Sequence, residues 1–129
     1  MYGQTTSGKT YTMLGNQQTQ GVIIYSLKDI FSNQPPEISI KISYLEIYNE
    51  QINDLLKEGS VNLKIADENV IGLSQCHVDD IEEALELLQE GEYQRAYAEK
   101  RYHDHSSRSH TIFQVVLLGR FRKCSRMVK

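Results

Sequence analysis

Apolar residues along this chain recur with two periods, and the switches between them divide it into elements. From Gly21 to Phe31 the residues Ile23, Leu27, Ile30 and Phe31 fall at helical spacing, which predicts a helix closed off by Pro35-Pro36. From Ile38 the period becomes two: Ile38, Ile40, Ile42 and Tyr44 alternate with polar residues, then the apolar positions change parity to Leu45 and Ile47. That change predicts a strand with a bulge or sharp twist, ending near Leu55-Leu56 before a Gly59-Ser60 turn. Val61 to Val78 holds two short apolar runs separated by Asp67-Glu68-Asn69 and predicts a small hairpin. A helix follows, with Asp79 and Asp80 as N-cap candidates, Glu82 and Glu83 three residues on, and Ile81, Ala84, Leu85 and Leu88 forming one core-packing stripe until Gly91. Arg95 to His105 has no clean period and predicts a loop or broken helix, which leads through Ser106-Ser107-Arg108-Ser109-His110 into a buried strand from Thr111 to Leu118.

Composition adds bounds rather than identity. The 129 residues, 40% hydrophobic and 9% aromatic, suffice for one domain with a real core. The longest apolar run, Val115-Val116-Leu117-Leu118 with Ile112 and Phe113 before it, is far too short to cross a bilayer. Cys76 and Cys124 form no C-x-x-C pair, so two reduced thiols in a reducing compartment are expected. The net charge of −3 conceals an asymmetry: Asp67 to Glu92 carries nine carboxylates and no Lys or Arg, whereas Arg120, Arg122, Lys123, Arg126 and Lys129 make the last ten residues basic. Both stretches read most simply as solvated faces.

The chemistry is concentrated near the start. Gly3-Gln4-Thr5-Thr6-Ser7-Gly8-Lys9-Thr10 fits G-x-x-x-x-G-K-[ST], a loop whose two glycines let backbone N–H groups converge on phosphate oxygens. Lys9 would reach the β- and γ-phosphates and the Thr10 hydroxyl would ligate Mg²⁺, so the pattern predicts a nucleoside triphosphate site. Helices interleaved with strands beside such a loop predict a P-loop NTPase-type layered α/β fold with a central, mostly parallel sheet. A second candidate site is the Ser106 to His110 run, where two adjacent hydroxyls before a strand can approach a γ-phosphate and its metal while Arg108 pairs with a carboxylate elsewhere.

Three separated motifs, in order and at matching spacing, resemble the middle of a kinesin motor domain. Tyr2 to Met13 looks like its P-loop, Ser43-Tyr44-Leu45-Glu46-Ile47-Tyr48-Asn49-Glu50 with Ile52 and Asp54-Leu55-Leu56 looks like its central strand signature, and Ser106 to His110 looks like switch I. Gly91 to Glu99 is similar to the corresponding stretch of centromere-associated, CENP-E-like kinesins. The resemblance runs over residues 1–118, leaving 119–129 as a basic, non-matching tail, and implies an incomplete motor domain that binds ATP and Mg²⁺ and hydrolyses ATP in movement along microtubules. It implies that Gly3, Gln4, Thr5, Thr6, Ser7, Gly8, Lys9 and Thr10 hold the phosphates, with Tyr11 near the adenine. Thr10 and Ser107 would contact Mg²⁺, Ser106 the γ-phosphate, and Arg108 a switch II glutamate, making Lys9, Ser106, Ser107 and Arg108 the catalytic set.

The same resemblance implies a cytoplasmic, microtubule-associated protein with no nucleic-acid or membrane partner, any homodimer forming through segments outside this sequence. Departures are specific: His103 stands where the family usually has Asn, Ile24-Tyr25 where it usually has Pro-Arg, and no D-x-x-G-[ST]-E motif occurs. The strand before the P-loop, the main microtubule-binding helix and the neck linker are likewise not found, so a truncated non-motor nucleotide-binding or inert interaction module is the alternative expectation. A small-molecule kinase is disfavoured because no substrate-binding motif accompanies the P-loop. His103, Asp104, His105 and His110 could offer metal ligands, but their spacing matches no closed zinc motif.

Overall fold

The computed structural model of the chain describes residues 3–4 and 7–119. In chain order the first elements are α1 (Lys9–Leu14), α2 (Val22–Asn33), β1 (Ile38–Tyr48), β2 (Gln51–Asp54) and β3 (Lys64–Ala66). They are followed by β4 (Asn69–Ile71), β5 (Cys76–Val78), α3 (Ile81–Arg101), α4 (His105–Arg108) and β6 (Ser109–Gly119).

β1 is the axis of the main sheet. Along one edge it pairs with β6 over all eleven residues, from Ile38 opposite Gly119 to Tyr48 opposite Ser109. Along the other edge it takes β5 at Ile40 to Ile42 and β2 at Leu45 to Tyr48. The layered mix of helix and sheet matches the expected class. The mostly parallel sheet does not occur among the described residues, where every ladder is antiparallel. Chain geometry accounts for β2, because Asn49 and Glu50 both adopt positive φ (49° and 61°) and so form the two-residue turn that folds a strand straight back on its predecessor. Asp67 and Glu68 make the same kind of turn in the expected small hairpin of β3 and β4, while β5 leaves that hairpin and joins the main sheet.

Three other expectations are corrected. β1 contains no bulge, since its register with β6 is unbroken; from Ile42 to Glu46 it is buried on both faces, so the change of apolar parity reflects two covered faces rather than a kink. α3 does not stop at Gly91 but continues to Arg101, so most of the segment expected to be a loop or broken helix is helical, with the break just before α4. β6 is less buried than its apolar run suggests, with Leu117 48% and Leu118 43% exposed.

On one face of β1 the alternate residues Ile40, Ile42 and Tyr44 meet the helices. Ile40 and Ile42 pack with Leu27 of α2, Val78 of β5 and Ala84 of α3; Tyr44 packs with Leu55 and Leu88. α3 starts where expected, with the Asp80 carboxylate accepting from the Glu83 N–H at 2.9 Å and Glu83 accepting in return from the Asp79 N–H at 2.8 Å. Among the described residues no helix is long and apolar enough to cross a membrane.

Candidate functional site

The phosphate-loop motif ends in a left-handed residue. Gly8 has φ 84°, a conformation that glycine adopts without strain, and nothing lies within 4 Å of where its side chain would begin. α1 starts at the next residue and ends at Gly15, again at positive φ. Lys9 turns back over its own loop, its ammonium donating to the carbonyl oxygens of Gly3 and of Gln4, the latter at 2.9 Å. These two contacts hold the charge over the loop.

A cleft of about 860 Å³ opens beside it. Ser7, Gly8, Lys9, Thr10 and Tyr11 form one wall, and Ser106, His110 and Thr111 come to it from the other end of the described chain. The third wall is α3, which contributes Glu92, Arg95 and Glu99. Arg95 lies 3.6 Å from Glu92 and 3.9 Å from Glu99, and its Nε is buried without a hydrogen-bond partner. The Tyr44 hydroxyl donates to the Glu92 carboxylate, adding a polar tie to the apolar packing of the sheet on α3.

Burial, reinforced by the adjacent Glu92 carboxylate, pushes the Tyr44 phenol well above its ordinary value of 10.0. The folded chain therefore holds this proton more tightly than the unfolded one. The resulting stability is fully present below the unfolded value and drains away as pH rises beyond it. Urea midpoints between pH 8 and 11 are expected to fall above about pH 10, and Tyr44→Phe is expected to flatten that fall. An equally steep fall in the variant would assign it to other groups.

The segment before β6 is turned in a specific way. Asp104 sits at φ 59° and the short helix α4 follows. His105 points inward, where its Nε2 lies 2.9 Å from Oε1 of Glu46 in β1, the two side chains 1% and 3% exposed. Ser107 Oγ donates to the Asp104 carbonyl at 2.9 Å, and Arg108 is exposed with no ion pair to a described carboxylate.

Of the sequence-selected residues, Ser7 to Tyr11 and Ser106 therefore share one cleft, and Gly3 and Gln4 are joined to it through Lys9. Ser107 and Arg108 do not line it, and Thr5, Thr6, Cys124 and the basic tail lie outside the described residues. The histidine cluster does not assemble: His105 is taken by Glu46, and no group of three His, Cys, Asp or Glu among the described residues is placed to hold a metal. Sequence reasoning missed Glu92, Arg95 and Glu99. Their spacing of three and four residues puts them on one helical face, which is visible only once the helix is extended to Arg101.

A loop of phosphate-binding sequence pattern thus faces a serine-bearing segment across a cleft, on an antiparallel core flanked by helices. The profile of the kinesin motor domain matches residues 1–127, and the chain belongs to that family. It is 43% identical over 128 residues to kinesin-like protein KIN-7N of Arabidopsis thaliana, a match covering 92% of this chain and 16% of that one. It is 39% identical to human centromere-associated protein E, covering 92% of this chain and 5% of that protein. Among solved structures, one of a fast kinesin superposes with a TM-score of 0.84 at 35% identity, covering 90% of this chain and 37% of the other. The chain thus spans only a small part of the curated relatives it matches.

Proposed function

We propose that this chain forms the nucleotide-binding part of a cytoskeletal motor that hydrolyses ATP and couples the cycle to movement along microtubules. The observation that carries the reading is the single cleft shared by Ser7 to Tyr11 and Ser106, which puts a phosphate-binding loop opposite a hydroxyl-bearing segment able to close on it. Family membership supports the same reading. Similarity to plant KIN-7N and to centromere-associated protein E is comparable, so the proposal concerns the motor and not the centromere-associated subgroup.

In this reading the loop from Gly3 to Thr10 and the Lys9 ammonium bind the phosphates, and Tyr11, half exposed at the cleft, flanks the base. Ser106 faces the terminal phosphate. Thr10 and Ser107 supply hydroxyl oxygens to Mg²⁺, and Ser107 does so by giving up its bond to the Asp104 carbonyl. A donor set of hydroxyls without a carboxylate cluster suits a small hard cation that keeps water and phosphate oxygens as its other ligands. When bound, that cation neutralises phosphate charge. The chain's own part is positioning: Lys9 fixes the phosphates, and Arg108, exposed and unpaired among the described residues, is free to meet a carboxylate when the segment closes.

That same placement of Ser107 and Arg108 away from the cleft favours a second reading, nucleotide binding without motor turnover. Phosphate release from MgATP with and without microtubules separates the two. Stimulation by microtubules supports the motor; nucleotide binding with no stimulated release supports the second reading, and no binding removes both.

A further inference from the structure

We propose that Glu46 is a positioning residue that latches the Ser106–Arg108 segment to the sheet through His105. The inference rests on the nucleotide-cleft reading for its functional meaning, but its structural content stands without it. Glu46 lies on β1, two residues beyond Tyr44 and therefore on the sheet face that the helices cover. Nothing in an apolar strand calls for a carboxylate there, yet Glu46 is 2% exposed and its Oε1 meets His105 Nε2 at 2.9 Å. The two groups have the separation of a hydrogen bond without its alignment, so the contact is one of two polar groups held in close approach.

His105 has no other polar anchor. Its Nδ1 is buried and unpartnered, and its ring packs 4.5 Å from that of Tyr48 and 6.5 Å from that of Tyr102. Among the described residues no second side-chain hydrogen bond or ion pair joins residues 102–108 to the sheet. The next residue, Ser106, faces the cleft. With His105 held inward at the first position of α4, the helix presents Ser106 to the cleft while Ser107 and Arg108 stay outside it. Releasing His105 frees a buried side chain that holds this rotation. A buried carboxylate left alone is unfavourable, so loss of His105 from its place against Glu46 carries a cost.

The test is amide hydrogen exchange on the full chain, followed residue by residue in the absence of nucleotide. Glu46→Leu, which keeps the volume and removes the partner, is expected to speed exchange at residues 104–108 by about tenfold or more while Ile40 to Ile42, paired to β5, stay protected. Glu46→Gln, which retains length and an acceptor oxygen, is expected to stay within about threefold of the parent. His105→Phe is expected to reproduce the local effect, and the double variant to be no worse than either single one, as two halves of one contact require. Unchanged exchange at 104–108 in Glu46→Leu overturns the proposal. So does loss of protection across β1 and β5 as well, which would make the pair an element of global stability, and so do additive effects in the double variant. A separate titration with labelled MgATP keeps the readings apart: absence of binding to the parent chain removes the nucleotide assignment and leaves the exchange result standing.

Discussion

Lys9→Ala is expected to weaken MgATP binding by at least about tenfold, the equivalent of some 1.4 kcal/mol, because one charge-assisted contact to phosphate is worth that or more. The geometry explains why a single side chain has this weight. Lys9 is held over the loop by the Gly3 and Gln4 carbonyls, so its ammonium is already close to where phosphate oxygens would lie and little ordering is left to do on binding. The second cation of the cleft, Arg95, is flanked by Glu92 and Glu99 and carries less free charge toward a ligand. Removing Lys9 therefore leaves a cleft in which one arginine stands between two glutamates, a balance that does not favour an anion. Loss of the ammonium also releases the two carbonyls, so Lys9→Met, which keeps the stem, serves as the control for loop packing. An equilibrium titration with labelled nucleotide that gave the parent affinity in both variants would remove the loop from the site.

What the sequence disclosed and what it hid divide along a physical line. The phosphate loop, the Ser106 to His110 run and the start of α3 were legible because their chemistry lies in residue identity at short spacing: glycines that permit positive φ, hydroxyls beside a basic group, an aspartate three residues before a glutamate. The hidden features all depend on partners remote in the chain. β2 was merged with β1 into one strand running to Leu55-Leu56 because the Asn49-Glu50 turn contains no glycine; its separate place follows from pairing back on β1. The parity change at Leu45 looked like a bulge because a strand covered on both faces is indistinguishable, by period alone, from one that twists. Glu92, Arg95 and Glu99 could not be seen as a face while the helix was expected to end at Gly91 and Arg95 to His105 read as a loop or broken helix. Glu46 was legible only as one letter of the strand signature, since an acid in an apolar strand acquires its structural meaning from His105, which reaches it from α4.

Gly91→Ala is expected to destabilise the chain by about 2 kcal/mol, although the same change in an exposed helix would stabilise it by about 1 kcal/mol. The sign is set by Tyr44. A side-chain carbon at position 91 would stand 2.1 Å from Cδ1 and 2.6 Å from Cε1 of that ring, well inside van der Waals contact. The ring has little room to withdraw. Its edge meets Phe113 with the centroids 5.2 Å apart, its hydroxyl is bonded to Glu92, and Leu55 and Leu88 pack around it. Either α3 lifts from β1 or the phenol leaves its carboxylate, and both movements disturb the wall of the cleft that carries Arg95. Urea denaturation measures the loss, and a second background fixes its cause. In a chain that already carries Tyr44→Val, where the obstructing ring is absent, Gly91→Ala should raise the midpoint instead of lowering it, since only the helical preference of alanine remains. A lowered midpoint in both backgrounds would show that Gly91 serves the backbone of α3 and not the approach of Tyr44. A raised midpoint in the parent chain would mean that α3 and β1 do not pack as closely as the structure has them.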